Sequence, residues 1–178
     1  MEESAGVMRA QKLARADEFQ RLVARELAGA YRTAALMLGD DHEAEDATQD
    51  ALLRAWERLD GLRDPDRAGA WFGRILINVC RDRLRERRTT IVRWAGQEVA
   101  AGPSRESVER EGVRELLAAL SPDQRIAVVL RYYADLSIEE IARQTGSRTG
   151  TVKSRLHYGL RLLRAAYEAR DRREEPRT

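Results

Sequence analysis

The segment from Leu136 to Arg164, LSIEEIARQTGSRTGTVKSRLHYGLRLLR, constrains the fold more than any other part of the chain. It reads as two short helices around a glycine turn. Ser137-Ile-Glu-Glu140 is a capping box, in which the serine accepts from a first-turn amide and the glutamate reaches back. Ile138, Ile141 and Ala142 form the inward face of the first helix, and Thr145-Gly146 is the turn. Ser147 or Thr149 is placed to cap the second helix. Along it Val152, Leu156, Leu160 and Leu163 recur at helical spacing and are expected to face the protein. That helix carries Arg148, Lys153, Arg155, Arg161 and Arg164 and no acid. This is the layout of a helix-turn-helix, whose second helix enters the DNA major groove. Arg148, Thr151, Arg155 and Tyr158 share a stripe able to reach base edges, and Lys153, His157, Arg161 and Arg164 share one suited to phosphates. The alternative is an ordinary helical hairpin with a solvated basic face. The capping box, the glycine turn and the missing acids together favour DNA.

Composition narrows the class. Charged residues make up 35% of the 178 and aromatics 6%, with four prolines, which suits a helical protein of one ordinary domain or two small ones. The longest apolar runs, such as Ile126 to Leu130, are far too short to cross a bilayer. The N-terminus has no apolar signal core, so the chain is expected to act in the cytoplasm. Cys80 is the one cysteine, which excludes an internal disulfide and a cysteine-based zinc cluster. Its apolar neighbours predict a small core residue. His42 and His157 lie far apart without ligand partners nearby, so neither a metal nor another cofactor is expected. No nucleophile–base constellation or phosphate-cradling loop is present, and no enzymatic activity is expected. From Asp40 to Asp50 there are six acids and no Lys or Arg, whereas from Arg81 to Arg93 six arginines meet only Asp82 and Glu86. Patches of opposite sign suggest different partners for different faces.

The expected fold class is all-α: two small helical domains joined by a flexible linker, the C-terminal one a helix-turn-helix. Residues 1–15 lack a clear apolar stripe and read as a flexible leader, with Met8 as an alternative start. Over 16–90, Asp17-Glu-Phe-Gln20 signals a helix start with Phe19, Leu22, Val23 and Leu27 inward, and Gly29 is a candidate interruption before Ala30–Leu38. Gly39-Asp40-Asp41 reads as a turn and an N-cap leading into a helix from His42 to Leu59. Gly61 to Asp66 is a loop, with Asp64-Pro65 setting up a helix over Arg67 to Arg88. Residues 91–107, holding Gly96, Gly102 and Pro103, read as the linker, unless Ile91, Val92 and Trp94 dock on the first domain. Over 108–168, Leu116, Leu117 and Leu120 end one helix. Ser121-Pro-Asp-Gln124 starts the next, with a capping box and a proline at the first helical position. That helix is expected to bury Ile126, Val129, Leu130 and Tyr133. The charged tail, 169–178, is expected to fray.

Two faces of the first domain suggest partners. Along the helix from His42 to Leu59, Ala44, Ala47, Ala51, Ala55 and Leu59 make a narrow packing edge. Asp46, Gln49, Asp50, Leu53 and Trp56 progress along another side, a mixture suited to protein recognition. Periodicity alone leaves open the alternative that Leu53 and Trp56 are core residues. In the next helix, Trp71, Arg74, Asn78, Arg81, Arg85 and Arg88 form one stripe, with Phe72, Ile75, Leu76, Val79 and Leu84 on the buried side. A cationic stripe ending in an aromatic fits backbone binding plus stacking on an unpaired base. The alternative is a solvated arginine face with Trp71 packed inside.

Taken together, these motifs resemble the bacterial RNA polymerase sigma factors of the extracytoplasmic-function type, the two-domain members of the sigma-70 family. AEDATQDALLRAWERL (Ala44 to Leu59) is similar to the family's core-polymerase-binding helix, and AWFGRILINVCRDRLRER (Ala70 to Arg87) to its promoter-melting and −10-recognition helix. Leu120 to Arg164 is similar to its −35-reading domain. The resemblance implies that Asp46, Gln49, Asp50, Leu53 and Trp56 dock on the β′ clamp, with the β subunit also part of the polymerase core engaged. It implies that the segment from Leu62 to Ala70 captures a flipped base, and that Asn78, Arg81 and Arg85 contact the −10 element. Arg148, Thr151, Lys153, Ser154, Arg155 and Tyr158 match the −35 reader. Asp50 stands where glutamate is commoner, while Ser147 and Gly159 depart from the family pattern and are expected to loosen the recognition helix.

The resemblance further implies that the polymerase core supplies catalysis while this chain supplies promoter choice. It also implies an anti-sigma factor as a partner, with no membrane insertion of the chain's own. Two other readings remain at this stage. One is an operator-binding regulator with a sensor or dimerisation domain. The other is a sigma-like protein that has kept only protein interactions.

Overall fold

Apolar residues at three- and four-residue spacing, punctuated by caps and glycine turns, fold into seven α-helices among the described residues. The structure, a computed structural model, describes residues 2–62, 64–93 and 108–174, with side chains over 12–62, 64–87 and 112–172. The helices are α1 (Glu2–Leu38), α2 (Asp41–Arg58), α3 (Ala68–Arg93), α4 (Val108–Ala118), α5 (Pro122–Tyr132), α6 (Ile138–Thr145) and α7 (Thr149–Glu174). Two single 3-10 turns, Leu59–Gly61 and Pro65–Arg67, join α2 to α3. No strand occurs among the described residues, in keeping with the all-α expectation.

The N-terminal domain is α1, α2 and α3. Gly39 turns the chain at φ +74°, a conformation that costs glycine little. The Asp40 side chain then accepts from the Glu43 amide at 2.8 Å and starts α2. Ala44, Ala47, Ala51 and Ala55 are fully buried, and their small size lets α2 lie close against its neighbours. In α3 the expected residues Phe72, Ile75, Leu76, Val79 and Leu84 are buried, as is Cys80.

Three expectations for α1 fail. The stretch read as a flexible leader, 1–15, belongs to the same helix from Glu2 onward, so the Asp17 capping signal lies inside it. Met8 to Arg15 is made of strong helix formers, and Arg15 and Phe19 are anchored on α2. Gly29 does not interrupt the helix either. Leu27, expected inward, is exposed.

In the C-terminal domain both capping boxes form as expected, at Ser121/Gln124 and Ser137/Glu140. Every residue from Ile126 to Leu130 is buried, because α5 packs against α7, α6 and α1 at once. Tyr133, expected in this core, sits just past the end of α5 and is exposed, its hydroxyl accepting from Arg32 Nε at 2.7 Å. The inward face of α7 is also shifted. Val152 and Leu156 are buried and Leu163 partly so, but Leu160 is 41% exposed and Gly159 takes its place. A Cβ on Gly159 would meet Val128 Cγ2 at 3.1 Å, so this glycine brings α7 onto α5 rather than loosening the helix. Ser147 is equally well held: its amide donates to Ala142 O at 3.0 Å, beside Gly146 at φ +62°. The expected fraying from 169 is not seen before Glu174, and Arg170 pairs with Glu115 of α4 at 3.7 Å.

The two domains close on each other. α5 packs on α1 and α6 on α3, and a single apolar core runs through both. Ile77, absent from the expected buried set, is sealed in that shared core. Within the expected linker, α3 extends to Arg93; residues 94–107, with Trp94, lie outside the described residues, as do the side chains of Ile91 and Val92.

Candidate nucleic-acid and protein interfaces

The acidic and basic segments, expected to serve separate partners, partly neutralise each other. Arg83 of α3 donates to Asp50 Oδ2 at 2.6 Å and lies 3.9 Å from Asp46. Arg87 donates to Glu43 at 2.7 Å and to the Leu38 carbonyl at 3.0 Å. Burial opposes charge on Arg83, yet the Asp50 hydrogen bond and the surrounding carboxylates leave its pKa raised. Arg83 and Arg87 lie off the stripe picked from periodicity and were missed. The signal that could have found them was the opposite charge of the two segments.

What remains open on α2 is a mixed face. Asp46 and Gln49 are exposed, Leu53 is 63% exposed and Trp56 38%. The core alternative for Leu53 and Trp56 is therefore excluded. Trp56 is held from behind by α1: Phe19 meets its ring edge-on at a centroid distance of 5.1 Å, and the Arg15 guanidinium lies 4.7 Å over it. Arg15 also donates to the Trp56 carbonyl at 2.7 Å and pairs with Asp60 at 3.3 Å. This support fixes the ring's orientation while one side of the indole stays in solvent.

The stripe on α3 is divided by the closed arrangement. Arg74, Asn78 and Arg85 are exposed, and Trp71 is half-buried against the core. Arg81 is half-buried because its Nη1 donates to the Thr145 carbonyl, at the end of α6, at 2.7 Å. Arg88 lies in α3, with its side chain outside the described ones. A cleft of about 480 Å³ separates this face from the C-terminal domain, with Arg74, Arg143, Arg32, Glu26 and Glu140 among its walls. Between α2 and α3, Asp64 accepts from the Asp66 amide at 3.1 Å and sets the turn from which α3 departs. Cys80 lies behind the stripe, and burial pushes its thiol up to about 12, so it is chemically inert.

Arg148, just before α7, and Thr151, Lys153, Ser154 and Tyr158 on it are exposed. Arg155 is not free in the same way: its Nη1 donates to Ser147 Oγ at 2.8 Å and its Nη2 to Asp123 Oδ2 at 2.6 Å. Among the described residues no group of three or more His, Cys, Asp or Glu side chains could hold a metal ion, and no helix is long and apolar enough to cross a membrane.

Comparison with known proteins gives this arrangement a family. Residues 22–90 match sigma-70 region 2 and residues 110–163 match sigma-70 region 4. The RNA polymerase sigma-E factor of Streptomyces avermitilis is 34% identical over 156 residues, covering 86% of this chain and 87% of that one. This chain belongs to the sigma-70 family, in its extracytoplasmic-function branch. The ECF RNA polymerase sigma factor SigL of Mycobacterium tuberculosis is 35% identical over 143 residues, 75% of this sigma factor and 80% of its own length. Among solved structures, the sigma factor RpoE in complex with the anti-sigma factor NepR, from Bartonella quintana, matches with a TM-score of 0.71 at 27% identity, covering 84% of this chain and 96% of that one. CnrH in complex with the cytosolic domain of CnrY matches with a TM-score of 0.64 at 28% identity, covering 85% and 88%. α1, α2 and α3 therefore form the region 2 domain of a sigma factor, and α4 to α7 its region 4 domain.

Proposed function

We propose that this sigma factor docks on the RNA polymerase core through Asp46, Gln49, Asp50, Leu53 and Trp56, and divides promoter recognition between its two domains. The observation that carries the docking role is the exposure of Leu53 and Trp56 together on a helix whose alanines are buried and whose Leu52 is partly so. Exposed apolar area beside carboxylates and an amide is the composition of an interface, and water alone does not favour it. In region 2, Trp71, Arg74, Asn78, Arg81, Arg85 and Arg88 would hold the −10 element. The segment from Leu62 to Ala70 would receive a base flipped out of the duplex, where a pocket and stacking repay its unpairing. In region 4, the exposed Arg148, Thr151, Lys153, Ser154 and Tyr158 would meet the −35 element. The polymerase core supplies catalysis, and this chain acts with it in the cytoplasm.

Arg81 gives the proposal a conformational side. Its Nη1 is held on the Thr145 carbonyl and its side chain is half-buried against α6, so full engagement of the −10 element is expected to part the domains. The closed form resembles the sigma factor RpoE solved with the anti-sigma factor NepR, and CnrH solved with the cytosolic domain of CnrY. A partner of that kind is accordingly part of the proposal for this chain.

In vitro transcription with core polymerase across a promoter library tests the whole reading. One promoter class should be selected, and Asp46→Arg, which reverses a charge on the docking face, should weaken core binding about ten-fold or more. Absence of a selected promoter together with unchanged core binding by Asp46→Arg would reject the proposal.

A further inference from the structure

From its contacts we infer that Arg155, which lies on the recognition helix among residues that face DNA, is a positioning residue that sets the helix's docking angle and reads no base. The inference rests on the promoter-binding reading above. Arg155 comes three residues after Val152 and four before Gly159, both buried, so it stands at the border between the packed face of α7 and its exposed stripe. Its guanidinium commits both terminal nitrogens to acceptors of the chain itself. One donates to Ser147 Oγ at 2.8 Å and the other to Asp123 Oδ2 at 2.6 Å. A bidentate bond to guanine requires two adjacent N–H groups pointing together at O6 and N7, and here the fork points back into the domain.

The two acceptors are placed to define orientation. Ser147 belongs to the turn between α6 and α7, where its own amide donates to Ala142 O at 3.0 Å. Asp123 lies in the first turn of α5, directly after the Ser121 cap and Pro122. One planar group thus ties the turn, the start of α5 and the second turn of α7. Charge-assisted bonds from a rigid fork resist rotation better than apolar packing alone. The pivot below them is Gly159, which lies against Val128 and Gln124 of α5. With packing fixing the helix at Gly159 and the Arg155 fork fixing it one turn earlier, rotation about the contact is suppressed. Arg148, Thr151, Ser154 and Tyr158 are then presented at a set angle.

Holoenzyme assembled from core polymerase and the full-length chain provides the test. Arg155→Gln, Asp123→Asn, Ser147→Ala and the Arg155→Gln/Asp123→Asn double variant are compared on a library randomised over the upstream promoter element. Binding is measured over a range of salt, at a temperature where circular dichroism shows each variant fully folded, so lost stability alone leaves affinity unmoved. Arg155→Gln and Asp123→Asn should each weaken binding about three- to ten-fold for every sequence, and the double variant should be no worse than the weaker single. The preferred sequence and the slope of affinity against salt should match those of the unsubstituted chain, because no base or phosphate contact has been removed. Relaxed preference at one base pair in Arg155→Gln, or no loss in Asp123→Asn and Ser147→Ala, overturns the inference. If the unsubstituted chain itself selects no promoter, the promoter reading fails first and takes this one with it.

Discussion

Two glycines in the middle of helices show how the same residue can be a defect or a requirement. A Cβ added at Gly29 in α1 meets nothing within 4 Å, whereas at Gly159 in α7 it comes to 3.1 Å from Val128 Cγ2 and 3.6 Å from Gln124 Cβ. Alanine in place of a helix-interior glycine gains about 1 kcal/mol where there is room. Val128 is β-branched and buried, and stiff at χ1, so it cannot yield easily. Gly29→Ala should therefore stabilise the fold by about 0.5–1 kcal/mol, and Gly159→Ala should destabilise it by about 1 kcal/mol or more. Urea unfolding of the pair checks the opposite signs. A Gly159→Ala variant as stable as Gly29→Ala would mean that α7 and α5 slide apart at little cost.

At the scale of elements, α6 depends on its cap. It has only eight residues, too few to hold together by backbone hydrogen bonds alone. Ser137 Oγ accepts from the Glu140 amide at 3.2 Å, while Glu140 Oε2 accepts from the Ser137 amide at 2.8 Å and from its hydroxyl at 2.7 Å. The Ser137 hydroxyl and amide hold the Glu140 carboxyl below its ordinary value. Since the folded pKa is the lower one, this contribution is complete at neutral pH and is lost as pH falls through it. Ser137→Ala should cost about 1 kcal/mol at neutral pH and less in acid, with the Glu140 carboxyl moving up in an NMR titration. A cost independent of pH would remove the reciprocal bond from the account. Both capping boxes were legible in the sequence because their partners lie three residues apart. The buried alanine edge of α2 was legible for the same local reason. The start of α1 was not, because it rests on Arg15 and Phe19 meeting Trp56 across the fold. The choice between Gly159 and Leu160 was not legible either, since contact with α5 decides which neighbour turns inward. Of the candidate sites, spacing picked out the side of α2 but left open whether Leu53 and Trp56 are core; the pairings of Arg83, 33 residues away, and Arg155, 32 away, were not legible at all.

For the whole molecule, the domain closure has polar joints as well as a shared core. Arg114 of α4 grips Asp41 at the start of α2 through two hydrogen bonds, one of 3.0 Å to Oδ2 and one to Oδ1. The Asp41 bond is the main cause of Arg114's raised pKa. Arg114→Glu would set two carboxylates together at a half-buried site and should shift the balance away from the closed form by about 1–3 kcal/mol. Dyes on one introduced cysteine per domain report this as a fall in energy transfer, and the inert Cys80 leaves such labelling selective. Unchanged transfer would mean that the apolar core alone holds the domains. Two further joints are of a different kind. Arg81 donates to the Thr145 carbonyl, and the end of α1 receives Arg125 at Met37 O. Arg125 is disfavoured as a cation by burial and by neighbouring Arg87, and the carbonyls of Leu117 at 2.9 Å and Met37 at 3.4 Å are its compensation. Every acceptor in this set is main chain. Residues 37 and 145 can drift among side chains of similar size while the joints persist, so correlated substitutions across a lineage would leave these two inter-domain contacts almost without trace.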